Sequence, residues 1–324
     1  MKARVRTLSP VHIGSGETIS PLEYFVDSGN GRFCLLNMNS LLNDVGFNRY
    51  RDVFIKEAGL TRNIRKIIPD ESLLRKHILY SIPITGEARQ SNYMEVKSFI
   101  NSGNRPYLPG SSIKGAIVSA LMYFALKELY KNSETRSEII NALNSGSYGR
   151  ETDSKNNYEQ LLNRVYDYLA DNQENGPAQG KFTNLLDVSD SNYLSPEQSL
   201  QIEACKVEGS RKKSEIPIRY ETIKEGIEVD IEITRKRCKY SEKKILEICH
   251  DFYQKVAKKD AINLPGEPYL IRVGQGATAF STSFLLLAEE LGIRNYPVKP
   301  PRTRKRLLDG ALKKSLGFIQ VKLL

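Results

Sequence analysis

Histidine occurs three times and cysteine four times in 324 residues, and no two cysteines stand in a CxxC spacing. A zinc knuckle or a histidine-built metal centre therefore has no ligand set. Cys34, Cys205, Cys238 and Cys249 read as reduced core residues. No apolar run approaches the roughly 20 residues that a membrane-spanning helix needs. The opening MKARVRTLSPVHIG carries no apolar leader and no small-residue cleavage site, so the expectation is a cytoplasmic protein with no membrane contact. The GxxxxGKS/T spacing of a nucleotide-cradling loop is also missing.

What is present is ordinary globular usage, 40% apolar and 27% charged, which excludes a disordered or fibrous chain. The length suffices for one large domain or two modest ones. The formal net charge is +10 and is unevenly spread: residues 294–324 hold nine Lys or Arg against one acid, whereas 131–209 hold seven against thirteen. A clustered cationic surface gains affinity for a polyanion by releasing its counterions. The basic C-terminal stretch is thus the first candidate for nucleic-acid contact, with a solvated tail or a protein-docking tail as alternatives.

Periodicity organises the rest. Ala3 to Ser9 alternate as a strand and break at Pro10 into the loop His12-Ile13-Gly14-Ser15-Gly16. Strands Leu22 to Val26 and Arg32 to Leu36 flank Asp27-Ser28-Gly29-Asn30-Gly31, whose residues suit a hairpin turn. From Asn39 to about Tyr80 the spacing turns helical, and 86–105 is polar and loop-like. Pro106-Tyr107-Leu108-Pro109-Gly110-Ser111-Ser112-Ile113-Lys114-Gly115 then launches a helix, with Ser111 or Ser112 as the expected N-cap. Open amides, the positive dipole end and Lys114 would together make an anion site there; an ordinary capped helix is the alternative. Helices are expected over 133–172. Strands are expected over 182–188, 199–208, 216–223 and 227–234, with Arg211, Lys212 and Lys213 at an exposed basic hairpin tip. An amphipathic helix over 241–259 leads to strand 269–273 and the turn Gly274-Gln275-Gly276-Ala277-Thr278. A basic turn with Lys299, Arg302, Arg304, Lys305 and Arg306 precedes a last strand at 316–322. Interspersed helices and antiparallel hairpins point to the α+β class.

Gly274-x-Gly276-x-x-Ala279 formally fits a dinucleotide fingerprint, but only 45 residues follow it, too few for the remainder of such a unit. The same glycines suit a backbone that approaches a phosphate, or simply a tight strand-to-helix turn.

SPVHIGSG, PYLPGSSIKGAI, LLDVSDS, VGQGATAFSTSF, PPRTRKRLLDG and LGFIQVKL stand in this order along nearly the whole chain. Together they resemble the RAMP superfamily of CRISPR proteins, and most nearly the Csm family subunit that caps the guide-RNA 3' end of type III-A effector complexes. The resemblance implies an RRM or ferredoxin-like core over 1–38, 106–130 and 181–324, with helical insertions at 39–105 and 131–180. It implies RNA-binding roles for His12, Gly14, Ser15, Gly16, Gly110, Ser111, Ser112, Lys114, Gly115, Arg211, Lys212, Lys213, Gly274, Gln275, Gly276, Thr278, Lys299, Arg302, Arg304, Lys305 and Arg306. The implied partners are crRNA, target RNA, other Csm complex subunits including the repeated backbone subunit, and recruited cellular nucleases; no cofactor is implied. Asp187 is expected to be structural, because a carboxylate repels phosphate. No aromatic RNP-type strand is evident, which fits RNA held by its backbone.

Three alternatives stay open. A RAMP endoribonuclease would use His12 as a general base or acid, or Asp27 in the manner of the target-cleaving branch. Asp27, however, opens a turn where Asp is favoured anyway. The others are a subunit of the sister type III-B complex and a general RNA chaperone.

Overall fold

The alternation at the start of the chain becomes β1 (Lys2–Thr7), which buries Ala3, Val5 and Thr7 and exposes Lys2, Arg4 and Arg6. The structure, a computed structural model, describes residues 1–85, 88, 94–145, 152–171, 181–208, 217–262, 266–301, 304–307 and 315–324. β2 (Gly14–Ile19) grows from the first glycine loop. β3 (Tyr24–Asp27) and β4 (Arg32–Leu36) form the expected hairpin, with Asp27 opposite Arg32. Short helices follow: α1 (Met38–Leu42), α2 (Arg51–Glu57), α3 (Ile64–Ile67) and α4 (Glu71–Lys76). Side chains of Asn37, Asn63 and Asp70 accept the first-turn amides of α1, α3 and α4, which is why such short helices hold.

The helical expectation stops there. Ile78 lies four residues beyond Leu74 and extends the helical spacing, yet β5 (Ile78–Pro83) buries Tyr80 and Ile82 alternately and pairs with β4. The stretch expected to be loop-like contains β6 (Val96–Phe99), β7 (Asn101–Ser102) and β8 (Arg105–Pro106). Helices α5 (Gly110–Leu129), α6 (Ser133–Ser145) and α7 (Thr152–Leu169) come next, then β9 (Leu186–Val188) and α8 (Pro196–Ser199). β10 (Leu200–Glu208), β11 (Ile218–Ile223) and β12 (Glu228–Arg235) precede α9 (Glu242–Lys259), capped by Ser241, and β13 (Leu270–Arg272). The chain closes with α10 (Ala279–Thr282), α11 (Leu285–Glu290), β14 (Arg304–Leu307) and β15 (Phe318–Leu323). The basic stretch expected as a turn is thus partly β14, because it pairs antiparallel with β10.

One sheet runs in the order β13-β15-β1-β12-β9, and all its pairings are antiparallel. Within it, β1, α5, β9, β12, α9 and β15 follow the β-α-β-β-α-β path of a ferredoxin-like core, with β13 added at the edge. α9 buries Ile245, Ile248, Cys249, Phe252 and Val256; each of the Ile, Phe and Val side chains contributes about 1.5–3 kcal/mol. Tyr253 ties α9 to α5 by donating to the Ala116 carbonyl at 2.9 Å. On the opposite face Lys2, Arg4 and Arg6 stand across from Glu232, Asp230 and Glu228. That face is a ladder of opposite charges, not an aromatic base-reading surface.

A second sheet, β14-β10-β11-β6-β2, carries the first glycine loop at its β2 edge. β3-β4-β5 form a third, backed by a small separate core of Phe25, Leu36, Leu41, Phe47, Ile64 and Leu74. All four cysteines are buried and free. No described helix is long and apolar enough to cross a membrane.

Candidate nucleic-acid interface

Two of the three glycine loops meet. After β13, Gly274 adopts φ +69°, and a Cβ there would lie 2.1 Å from the His12 carbonyl oxygen. The Gln275 amide donates to that same oxygen at 2.9 Å. At Gly276 a Cβ would lie 1.9 Å from the Leu316 carbonyl oxygen. These glycines are therefore required for backbone-to-backbone approach, independently of any phosphate.

His12 is not placed as a surface contact. Its ring is 2% exposed and stacks near Tyr220 and Phe99, with centroids at 4.7 and 6.1 Å. Nδ1 lies 2.6 Å from the Glu221 carbonyl oxygen; a carbonyl only accepts, so Nδ1 carries the proton. Burial drives its pKa down to about 4, the Glu221 hydrogen bond opposing and the Lys305 charge adding to the fall. His12 is a neutral bridge between the first loop and β11, and its apolar setting is what sequence spacing could not report. Gly14, Ser15 and Gly16, by contrast, are exposed on edge strand β2.

Beside the joined loops a cavity of about 310 Å³ is lined by Asp260, Arg272, Gln275, Gly276, Thr278, Lys305, Arg306 and Ser315, among others. Lys305 Nζ donates to Gln275 Oε1 at 2.6 Å and sits 5.4 Å from the Tyr220 ring centroid. Partial burial lowers the pKa of this lysine. Arg272 is buried, pairs with the Asp260 carboxylate, donates to Ser315 Oγ at 2.7 Å and stacks 4.7 Å from the Phe318 centroid. Thr278 Oγ1 donates to Asp260 Oδ2 at 2.9 Å, and Arg306 Nη2 to the Asp260 carbonyl. Three cationic side chains thus share a nucleotide-sized cavity with one carboxylate, an arrangement that can take a phosphate. The sequence reading singled out Gln275, Gly276, Thr278, Lys305 and Arg306 and missed Asp260, Arg272 and Ser315. The signal was present: an arginine inside the apolar run Tyr-Leu-Ile-Arg-Val demands a buried anion.

The third loop lies with acidic partners. α5 begins at Gly110 with Pro109 as N-cap, so Ser111 and Ser112 fall inside the first turn. The Gly110 amide donates to Asp190 Oδ1 at 2.8 Å, and a Cβ at Gly110 would lie 2.1 Å from the Val188 carbonyl oxygen. The expected open amide site is thus served in part by the chain's own carboxylate. Lys114 pairs with Asp187 Oδ1 at 2.9 Å, and Lys236 also pairs with Asp187. Hydrogen bonds from Lys236 and then Lys114 hold the Asp187 carboxyl below its ordinary range, which suits the structural role expected for it. Gly115 and Lys299 are exposed. Arg304 belongs to β14, its backbone opposite Glu208. Arg211, Lys212, Lys213 and Arg302 lie outside the described residues.

Asp27, the other catalytic candidate, accepts from Arg75 at 2.8 Å and from Asn30 at 2.9 Å. The Arg75 contact leads in lowering its pKa to about 2. Among the described residues no group of three or more His, Cys, Asp or Glu could hold a metal ion.

Comparison with known proteins follows the same lines. A CRISPR system Cms protein Csm5 of Methanocaldococcus jannaschii is 30% identical over 135 residues, 38% of this chain and 30% of that protein. The Csm5 protein of Streptococcus thermophilus is 26% identical over 249 residues, 72% of this chain and 63% of that protein. The matches span less than two thirds of either relative's own length. Among solved structures, a chain of a Csm-crRNA-target RNA ternary complex from a type III-A CRISPR-Cas system aligns with a TM-score of 0.72 at 20% identity. That alignment covers 99% of this chain and 100% of the other. The crystal structure of T. onnurineus Csm5 aligns with a TM-score of 0.65 at 20% identity, covering 98% and 99%. These two likenesses concern the fold. The RAMP superfamily model matches residues 4–320, nearly the whole length over which the βαββαβ core and the joined glycine loops are built, and the chain belongs to that superfamily.

Proposed function

We propose that this chain is a non-catalytic guide-RNA-binding subunit of a type III-A CRISPR Csm effector complex, present once per particle and capping it near the crRNA 3' end. In this role it supports crRNA maturation and antiviral defence in the cytoplasm. The observation that carries the reading is the cationic cavity where the first and last glycine loops join, in a chain that is RAMP-like from end to end. Lys305 and Arg306 would meet crRNA phosphates, and Gly14 to Gly16 would lie along the same strand of RNA. Target RNA, the repeated backbone subunit and recruited nucleases would be the partners. The helical stretch 131–180 would be an insertion in the core, covering one face and stopping the growth that a repeating subunit needs two complementary faces to sustain. Burial of His12 and the pairing of Asp27 with Arg75 count against the endoribonuclease reading at both of its candidate groups.

The test is RNA affinity against salt together with native mass spectrometry of the particle. Each neutralised phosphate of a single strand contributes a logarithmic slope of about −0.7. Lys305→Ala should weaken every RNA sequence alike and make the slope shallower by about that amount. Salt-insensitive affinity, or several copies of the chain per guide, would refute the reading.

A further inference from the structure

Tyr193 is 49% exposed and is the single aromatic residue among the exposed large apolar side chains of the described chain. It does not stand alone. The Arg105 guanidinium lies 4.6 Å from its ring centroid, and Tyr107 meets it edge-on at 5.6 Å with an interplanar angle of 80°. The two tyrosines project from backbone segments laced together at the root of α5. The Ser191 amide donates to the Leu108 carbonyl at 3.0 Å, and the Leu194 amide to the Pro106 carbonyl at 2.9 Å. The Leu108 amide donates to Ser191 Oγ at 2.9 Å. Asn192 Oδ1 accepts the Asp230 amide at 3.1 Å, fixing the loop to β12. The aromatic pair is held in place before any ligand arrives.

We infer that Tyr193, Tyr107 and Arg105 form a stacking platform for one base of single-stranded RNA, with Arg105 also reaching the adjoining phosphate. Every nucleobase has a π-face, so such a platform is tolerant of sequence. Arg105 is exposed and makes no ion pair among the described residues, which leaves its charge available to a phosphate. Exposed neighbours Ser189, Asn192 and Ser195 are polar, and of the exposed carboxylates in the same loop Asp190 already accepts the Gly110 amide and Glu197 the Ser195 hydroxyl, each at 2.8 Å. A protein-docking surface would instead want a contiguous apolar patch around its aromatic anchor. Among the described residues the other exposed large apolar side chains are Val45, Val53, Ile55 and Leu60, within the stretch of short helices that follows β4, and the two chain ends. The inference rests on the RNA-holding role proposed above and adds to it a contact with a base.

Full-length protein and a single-stranded RNA carrying 2-aminopurine, read by anisotropy and base fluorescence, provide the test. Tyr193→Ala should weaken binding about 5- to 100-fold and abolish the fluorescence change, with the salt slope unchanged. Tyr193→Phe should bind as the wild type does, since the ring is kept. Arg105→Ala should weaken binding and make the salt slope shallower by about 0.7. Wild-type affinity in Tyr193→Ala, or no rescue by Tyr193→Phe, overturns the platform while leaving the proposed function standing. RNA binding unchanged with loss of the chain from assembled particles also overturns it, in favour of a protein contact. A wild-type chain that binds no RNA overturns both.

Discussion

His12 should make the protein acid-sensitive at a pH where surface carboxylates are still ionised. In an unfolded chain its imidazole takes a proton near pH 6.5. In the folded chain burial is the main cause that holds the value down to about 4, with Lys305 reinforcing it. Between those two values the unfolded state binds a proton that the folded state refuses, so stability falls as pH falls. The loss begins near pH 6.5, accumulates toward pH 4 and then levels off. Its full size is on the order of 3 kcal/mol, from a difference of about 2.5 pH units. His12→Phe should keep the ring packing against Tyr220 and Phe99 but leave the Glu221 carbonyl without its donor, costing about 1–3 kcal/mol at neutral pH. Urea denaturation of both proteins at pH 7.5 and 4.5 isolates the effect, because other titrating groups are common to the two. The variant's stability should change less with pH than the wild type's by roughly the amount above. A His12 imidazole resonance that titrates near 6.5, or identical pH dependence in the two proteins, would refute this account of the site.

Other outcomes follow from the same geometry. Asp260→Ala should destabilise the protein by about 3–5 kcal/mol, because it strands a buried Arg272, and urea titration will measure it. Arg272→Met in that background should recover part of the loss. Gly276→Ala should prevent normal folding, judged by thermal melting, since its Cβ would lie 1.9 Å from the Leu316 carbonyl oxygen; wild-type melting would show the loop to be more yielding. Lys114→Ala should cost at most about 1 kcal/mol and weaken RNA binding less than Lys305→Ala does, because Lys114 already faces Asp187. Purified protein should leave labelled guide precursor and target RNA intact with or without Mg²⁺; cutting that vanishes in His12→Ala or Asp27→Ala would reverse the assignment.

Sequence alone determined the α+β class, the β3–β4 hairpin, the amphipathic helix α9, the burial of all four cysteines and the RAMP resemblance. These depend on local period, turn residues and motif order, which a linear reading can see. It also marked Gln275, Thr278, Lys305 and Arg306, which the fold gathers around one cavity. Tertiary structure decided the rest. Ile78 to Pro83 became a strand because β4 offered a partner, and Arg304 to Leu307 did so because β10 did. Pairing energy comes from residues far along the chain and overrides local spacing. His12 looked like a surface group beside glycines and is buried, because β11 closes over it. Lys114 looked free, but it pairs with Asp187, 73 residues away. Which charge faces solvent and which is already answered depends on contacts between distant segments, and no spacing within one segment encodes them.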